Sequence, residues 1–300
     1  MDATPHDPGD ASPTGAAMAR RLERGEVIHV PVCPFPLPQG DDLSFLLAQE
    51  LGSLKHKNIS YDPARDRAAG YVRRDTAQAE RLRQVLADFA RGVTDWVSRT
   101  LPGYQGGCRP DRVSYRPQEE ATRKLRTTAR NDLLHVDAFP SRPTQGHRIL
   151  RVFANINPRE PRVWITSDSF TVLLQRYGAA AGLPGRRIGW LQALRETLMG
   201  LFHPGRAKRT AYDHFMLRFH DYLKKNEEFQ ERTRKRLWKF EPGSAWLAMT
   251  DACSHAVLRG RFTLEHSYFV SPSVLAVPEE SPEALLQQAT EAQEGYKRAA

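Results

Sequence analysis

Leu133-Leu-His-Val-Asp-Ala-Phe-Pro140 is the stretch on which the reading of this chain turns. In a strand, alternate residues share a face. The His135 imidazole and the Asp137 carboxylate therefore point the same way from among apolar neighbours. A third donor, His255 in Thr250-Asp-Ala-Cys-Ser-His-Ala-Val-Leu258, would complete a set of two histidines and one carboxylate. Such a set leaves positions open on Fe(II) for a cosubstrate and O2. An isolated H-x-D triplet is common by chance, so the context has to carry the reading.

That context is a strand-like run around the triplet, a long insert, a Glu241-Pro-Gly-Ser244 turn, and a second strand-like run with a central histidine. The order matches the double-stranded β-helix oxygenases. The expected fold class is α+β, a jelly-roll or cupin-like core with flanking helices and a helical insert. Cys253, two residues before His255, reads as a buried thiol. His203, His214 and His220 lie in the insert and are not taken as ligands.

Strands and helices fall out of periodicity. Glu26–Cys33 reads as an opening strand, and Asp41 or Asp42 as the cap of a short helix ending near Leu51. His56–Arg65 reads as a polar loop. Leu82, Val85, Leu86, Phe89, Val93 and Val97 mark an amphipathic helix from Thr76 to about Thr100. Val113–Arg116 is a short strand. Arg148–Pro158 alternates, with Arg151, Phe153, Asn155 and Asn157 on one face and Leu150, Val152, Ala154 and Ile156 on the other. A buried unpaired Arg is costly, so Arg151 meets either a protein carboxylate or the far carboxylate of a bound 2-oxoglutarate, for which a guanidinium is a bidentate partner. Arg148 and Asn155 on the same strand are further cosubstrate candidates. Arg261 and Arg259, after the distal histidine, compete with Arg151. Helical patterns follow at Ser169–Tyr177, Ile188–Phe202 and Tyr212–Lys225. Trp246–Met249, Asp251–Leu258 and Phe262–Val270 read as strands, and Pro282–Lys297 as a final helix.

The 300 residues bury one sizeable core and show no repeat. The stretch 1–20 reads as a disordered tail without a signal-peptide pattern, 21–278 as a single oxygenase domain with a basic insert at about 168–240, and 279–300 as a C-terminal helix or tail. Three scattered cysteines argue against a disulfide framework and suit a reducing compartment. No run is apolar enough to span a bilayer, so the expectation is a cytoplasmic protein, soluble or peripheral. The net charge of +9 is concentrated: residues 186–239 hold 14 Lys/Arg against 6 Asp/Glu. A localised basic surface implies an acidic partner or a solvated set of helix faces. Arg126 and Arg130 before the triplet, and Arg142 after it, are the candidate substrate cations.

His135-Val-Asp-Ala-Phe-Pro-Ser-Arg-Pro143, Arg148–Pro158 and Thr250–Leu258 resemble the Kdo hydroxylase family over about residues 25 to 275. The resemblance implies an Fe(II)/2-oxoglutarate/O2-dependent dioxygenase with His135, Asp137 and His255 as iron ligands. It implies C3 hydroxylation of the Kdo sugar of Kdo-lipid A to give Ko, in lipopolysaccharide biosynthesis at the anionic cytoplasmic face of the inner membrane. A Gln near Arg261 in the family pattern favours Arg151 as the cosubstrate anchor. The alternatives are a non-catalytic acidic-glycolipid-binding protein, a nucleic-acid demethylase on the same fold, and a zinc hydrolase. No nucleic-acid motif is present.

Overall fold

Arg148–Asn155 is buried along its whole length, which a strand with a continuous core on each face requires. The computed structural model describes residues 14–53, 56–120, 125–183 and 208–299. In chain order they form α1 (Gly15–Glu23), β1 (Ile28–Val30), α2 (Gly40–Leu47), β2 (Ile59–Asp62), β3 (Arg67–Ala69), α3 (Thr76–Thr100), β4 (Cys108–Arg116), β5 (Arg148–Asn155), β6 (Arg162–Ser169) and α4 (Phe170–Tyr177). Then come α5 (Ala211–Lys225), α6 (Glu227–Arg232), β7 (Arg236–Phe240), β8 (Ala245–Met249), β9 (Cys253–Arg259), β10 (Thr263–Val270) and α7 (Pro282–Ala299).

Two antiparallel sheets result. The larger runs β1-β8-β5-β10-β4-β2-β3 and the smaller β7-β6-β9. The chain segment before the triplet lies along the free side of β9: Val257 N donates to Asn131 O, and His135 and His255 exchange a pair of backbone hydrogen bonds at 3.2 and 3.0 Å. So His135 makes one isolated bridge and does not sit in the strand expected there. The alternation survives without the strand, because Leu134 and Val136 pack into one apolar cluster while His135 and Asp137 turn away from it.

Three apolar layers hold the sheets. Leu82, Val85, Leu86, Phe89, Val93 and Val97 of α3 pack with Leu150, Val152 and Ala154 of β5 on the outer face of the large sheet. Each such side chain contributes roughly 1.5–3 kcal/mol when fully buried. Asp75 caps α3 by accepting Gln78 N–H at 2.7 Å. Between the sheets lie Phe153, Trp164, Phe240, Trp246 and Val257. Beyond the small sheet, Phe170, Phe215, Phe219, Leu223 and Phe229 of α4–α6 close over Leu134, Val136 and Ala256.

Several expectations change. Gly15–Glu23 is helical, with Ala19 and Leu22 buried in the core, so the 1–20 tail ends earlier; residues 1–13 lie outside the described residues. The 56–65 loop contains β2, whose Ile59 and Tyr61 are buried against α3 and β4, a pattern too short to stand out in the sequence. Gln39 precedes α2 without a side-chain cap bond; Asp41 and Asp42 sit in its first turn, where they complement the helix dipole. The 168–240 insert is helical in α4–α6 but ends in strand β7, which pairs with β6. The expected helix Ile188–Phe202 lies outside the described residues.

Candidate metal centre

His135, Asp137 and His255 are all buried, and one donor atom from each lies within 4.8 Å of the others. The reason is local. His135 Nδ1 is 2.7 Å from Leu133 O, and His255 Nδ1 is 2.9 Å from Cys253 O. Carbonyl oxygens only accept, so each Nδ1 carries the proton and each Nε2 lone pair is free. Those Nε2 atoms converge on Asp137, at 3.6 Å from Oδ1 and 3.9 Å from Oδ2. Burial holds both histidines below their usual pKa, so both are neutral, as ligation needs. Burial opposes the Asp137 charge, but Arg151 foremost among the opposing influences holds it well below the carboxylate range. Asp137 Oδ2 makes no aligned hydrogen bond among the described residues. A pair of neutral imidazole nitrogens and an ionised carboxylate, converging in a buried site, suit a divalent cation.

Behind Asp137 runs a buried chain of charge. Arg151 Nη2 is 3.1 Å from Asp137 Oδ2, and its Nη1 is 3.2 Å from Glu265 Oε1. Arg116 reaches Glu265 at 2.7 Å and Glu120 at 3.5 Å. Arg162 is 4.0 Å from Glu120 and donates to Gly260 O at 2.7 Å. Gly260 has φ 115°, and a Cβ there would lie 2.9 Å from Arg162 Cα, so only glycine lets the β9–β10 turn pass this close. Burial pulls the Arg162 guanidinium down to about 10, more than Glu120 offsets. Arg151 Nε, Arg162 Nε and Trp164 Nε1 are buried donors without a hydrogen-bond partner among the described residues. Trp164 also stacks on His255, with ring centroids 5.1 Å apart.

Comparison with known proteins fits this geometry. A family model described as 3-deoxy-D-manno-oct-2-ulosonic acid (Kdo) hydroxylase matches residues 7–293. The chain belongs to the Kdo hydroxylase family. Among solved structures, the Kdo hydroxylase KdoO, a non-heme Fe(II) α-ketoglutarate-dependent dioxygenase in complex with α-ketoglutarate and Fe(III), is 33% identical with a TM-score of 0.83, covering 92% of this chain and 90% of that one. The same enzyme in complex with succinate and Fe(III) matches with a TM-score of 0.81 at the same identity and coverage. A search of curated proteins finds no match.

In this member of the Kdo hydroxylase family, the other sequence candidates divide. Arg151 is beside the triad. Arg148 lies on the opposite face of β5, where it is 2.6 Å from Asp251 Oδ2 and donates to Glu23 O. Asn155 donates to Phe240 O and Glu160 O and accepts from Asn157 N, so it ties a turn together. Arg261 is exposed, its guanidinium 4.1 Å above the ring of Phe262, whose φ of 62° breaks the strand; Thr263, not Arg261, is the first residue to face inward. Arg126 is exposed, Arg130 pairs with Asp132 at 2.9 Å, and Arg142 pairs with Asp111 and lies over Phe139.

Arg116, Arg162 and Trp164 were not singled out as site residues. The period-two spacing of Arg162 and Trp164 puts them on one face and was the available signal. His220, set aside as a ligand, packs edge-on against His135 with centroids 5.1 Å apart, while its Nδ1 contacts Asp221 at 2.9 Å. It is a neighbour of the centre and not part of the ligand set.

Proposed function

We propose that this protein is an Fe(II)/2-oxoglutarate/O2-dependent hydroxylase of the Kdo sugar, with His135, Asp137 and His255 as the iron ligands. The convergence of two pre-oriented Nε2 atoms on one carboxylate, in a chain of this family, carries the reading. When bound, Fe(II) and 2-oxoglutarate supply the O2 activation that turns C–H into C–OH, the cosubstrate leaving as succinate and CO2.

The protein's part is orientation and charge. Arg116, Arg151 and Arg162 face Glu120, Glu265 and Asp137, three positive groups against three negative. Fe(II) unbalances the cluster by two charges, and the 2-oxoglutarate dianion restores the balance. The unpartnered Arg151 Nε, Arg162 Nε and Trp164 Nε1 are the donors for its distal carboxylate. Arg151 is thus proposed as a cosubstrate anchor together with Arg162 and Trp164, while Arg116 holds Glu265 and Glu120.

The fold proposed is the double-stranded β-helix. In support, the strands alternate between sheets: β4 and β5 in the large one, the 131–135 segment and β6–β7 beside or in the small one, then β8, β9 and β10 in turn. The substrate proposed is Kdo attached to lipid A, hydroxylated at C3, in lipopolysaccharide biosynthesis. The basic surplus of 186–239 suits its carboxylate, its phosphates and the anionic inner-membrane face at which the enzyme would work peripherally in the cytoplasm. No helix among the described residues is long and apolar enough to cross a membrane.

The test is succinate release by anaerobically Fe(II)-loaded protein after O2 is admitted, with and without Kdo-lipid A. Kdo-dependent succinate and a product heavier by one oxygen, both lost in His135→Ala, are expected. Glycolipid binding without any turnover would sink the enzyme and leave a binding protein.

A further inference from the structure

Lys224 is a buried cation that the chemistry above does not use. It lies near the C-terminal end of α5 and is only 3% exposed. An ammonium has three donors, yet Lys224 makes one hydrogen bond among the described residues, a long one of 3.4 Å to Thr128 O. The neighbouring carboxylates are taken: Asp132 by Arg130, and Asp221 by His220. No described carboxylate stands within ion-pair distance of Lys224. Burial foremost, and then the nearby positive charge of Lys57, pull its ammonium down to about 8. A buried cation kept this way is costly unless something else compensates it.

Its position says what that is. His220 and Lys224 are four residues apart on α5, so they share a face one turn from each other. His220 packs on the ligand His135. Lys224 therefore sits one helical turn beyond the metal centre, and its charge acts on His135, Asp137 and His255. The overlying Thr127–Ala129 turn is the connection that carries Arg126 and Arg130.

We infer that Lys224 is the seat of the sugar's carboxylate. The inference rests on the sugar-acid reading above and deepens it. A 3-deoxy-oct-2-ulosonic acid carries its carboxylate on C2, the atom next to the deoxy C3. Once the carboxylate is fixed, C3 is two bonds away and has little freedom. A cation that steers C3 must then sit beside the metal ligands, and Lys224 lies one turn of α5 from His220, which packs on His135. The same contact would select sugar acids over neutral sugars, since a neutral ligand leaves the buried ammonium unpaired.

The test is calorimetric binding of the methyl ketoside of Kdo, and of its C1 methyl ester, to Co(II)- and 2-oxoglutarate-loaded protein. Lys224→Met keeps the length and apolar stem; Lys224→Arg keeps the charge. The wild type is expected to bind the acid roughly 10- to 100-fold more tightly than the ester. Lys224→Met loses that preference by weakening the acid alone, and Lys224→Arg retains part of it. Affinity for 2-oxoglutarate, measured first, reports whether the variants keep the cosubstrate site. Acid binding unchanged in Lys224→Met, or equal losses for acid and ester, would overturn the inference. Acid-selective binding that depends on Lys224 but comes without sugar-dependent succinate would uphold this seat while the hydroxylase reading fails. Sugar-dependent succinate with an unchanged KM in Lys224→Met would do the reverse.

Discussion

Strand β5 carries two buried arginines three residues apart, one on each face, and each meets an aspartate. Arg148 meets Asp251 on the closed side; Arg151 meets Asp137 on the side of the metal centre. The contacts look alike, yet the carboxylates behave in opposite ways. At Asp251 burial wins and pushes the carboxyl up despite Arg148. At Asp137 burial is also the largest effect, but Arg151, foremost among the opposing influences, holds it well down. Asp251 has one guanidinium in a sealed pocket. Asp137 stands at the head of a chain of three. A buried ion pair is thus not one kind of object: the first fastens α1 to the sheet, and the second keeps an anion ready for a cation.

Substitutions can break this contrast, and the largest effect falls at the metal. His135→Ala is expected to lower succinate release by at least about 10⁴-fold, roughly 5.5 kcal/mol, while thermal unfolding still gives one transition. Loss of the fold would show that the metal side is structural after all. Next, Arg148→Met leaves Asp251 buried and alone, and should cost about 3–5 kcal/mol of stability in denaturant titration. A cost below about 1 kcal/mol would erase the distinction between the two faces. Arg151→Met should instead raise the KM for 2-oxoglutarate about 10- to 100-fold. The charge balance adds that Co(II) tightens 2-oxoglutarate binding, and the reverse by the same factor, about 5- to 150-fold; independent binding in a two-ligand titration would refute the balance. The smallest effect lies away from both pairs. Asp75→Ala, removing the α3 cap, should cost about 1 kcal/mol and leave kcat/KM unchanged in a steady-state assay.

What could be read from the sequence was what local period and close spacing encode. The stripe of α3 was read to its limits, Thr76 and Thr100. The two faces of β5 were legible because alternation there is unbroken over the whole strand. The triad was legible because two of its members are two residues apart and the third leads into an apolar strand run, Ala256-Val-Leu258. Arg116 and Arg162 were not. Their meaning arises only when β10 pairs with both β4 and β5, which brings Glu265 between Arg116 and Arg151, and when the β9–β10 turn folds over Arg162. Arg261 misled for a related reason, since one left-handed residue, Phe262, separates it from β10.

The β6–β7 ladder, Arg162 to Thr166 against Phe240 to Arg236, has a consequence for how such an enzyme can diversify. It clamps both ends of the helical insert, so everything from α4 to α6 hangs from one fixed root. None of the three ligands comes from that excursion, whereas His220 and Lys224 both do. Closing a longer loop adds only about 0.6 kcal/mol per doubling of its length. Insertions or replacements there can remodel what the enzyme recognises while the oxidising chemistry is inherited unchanged.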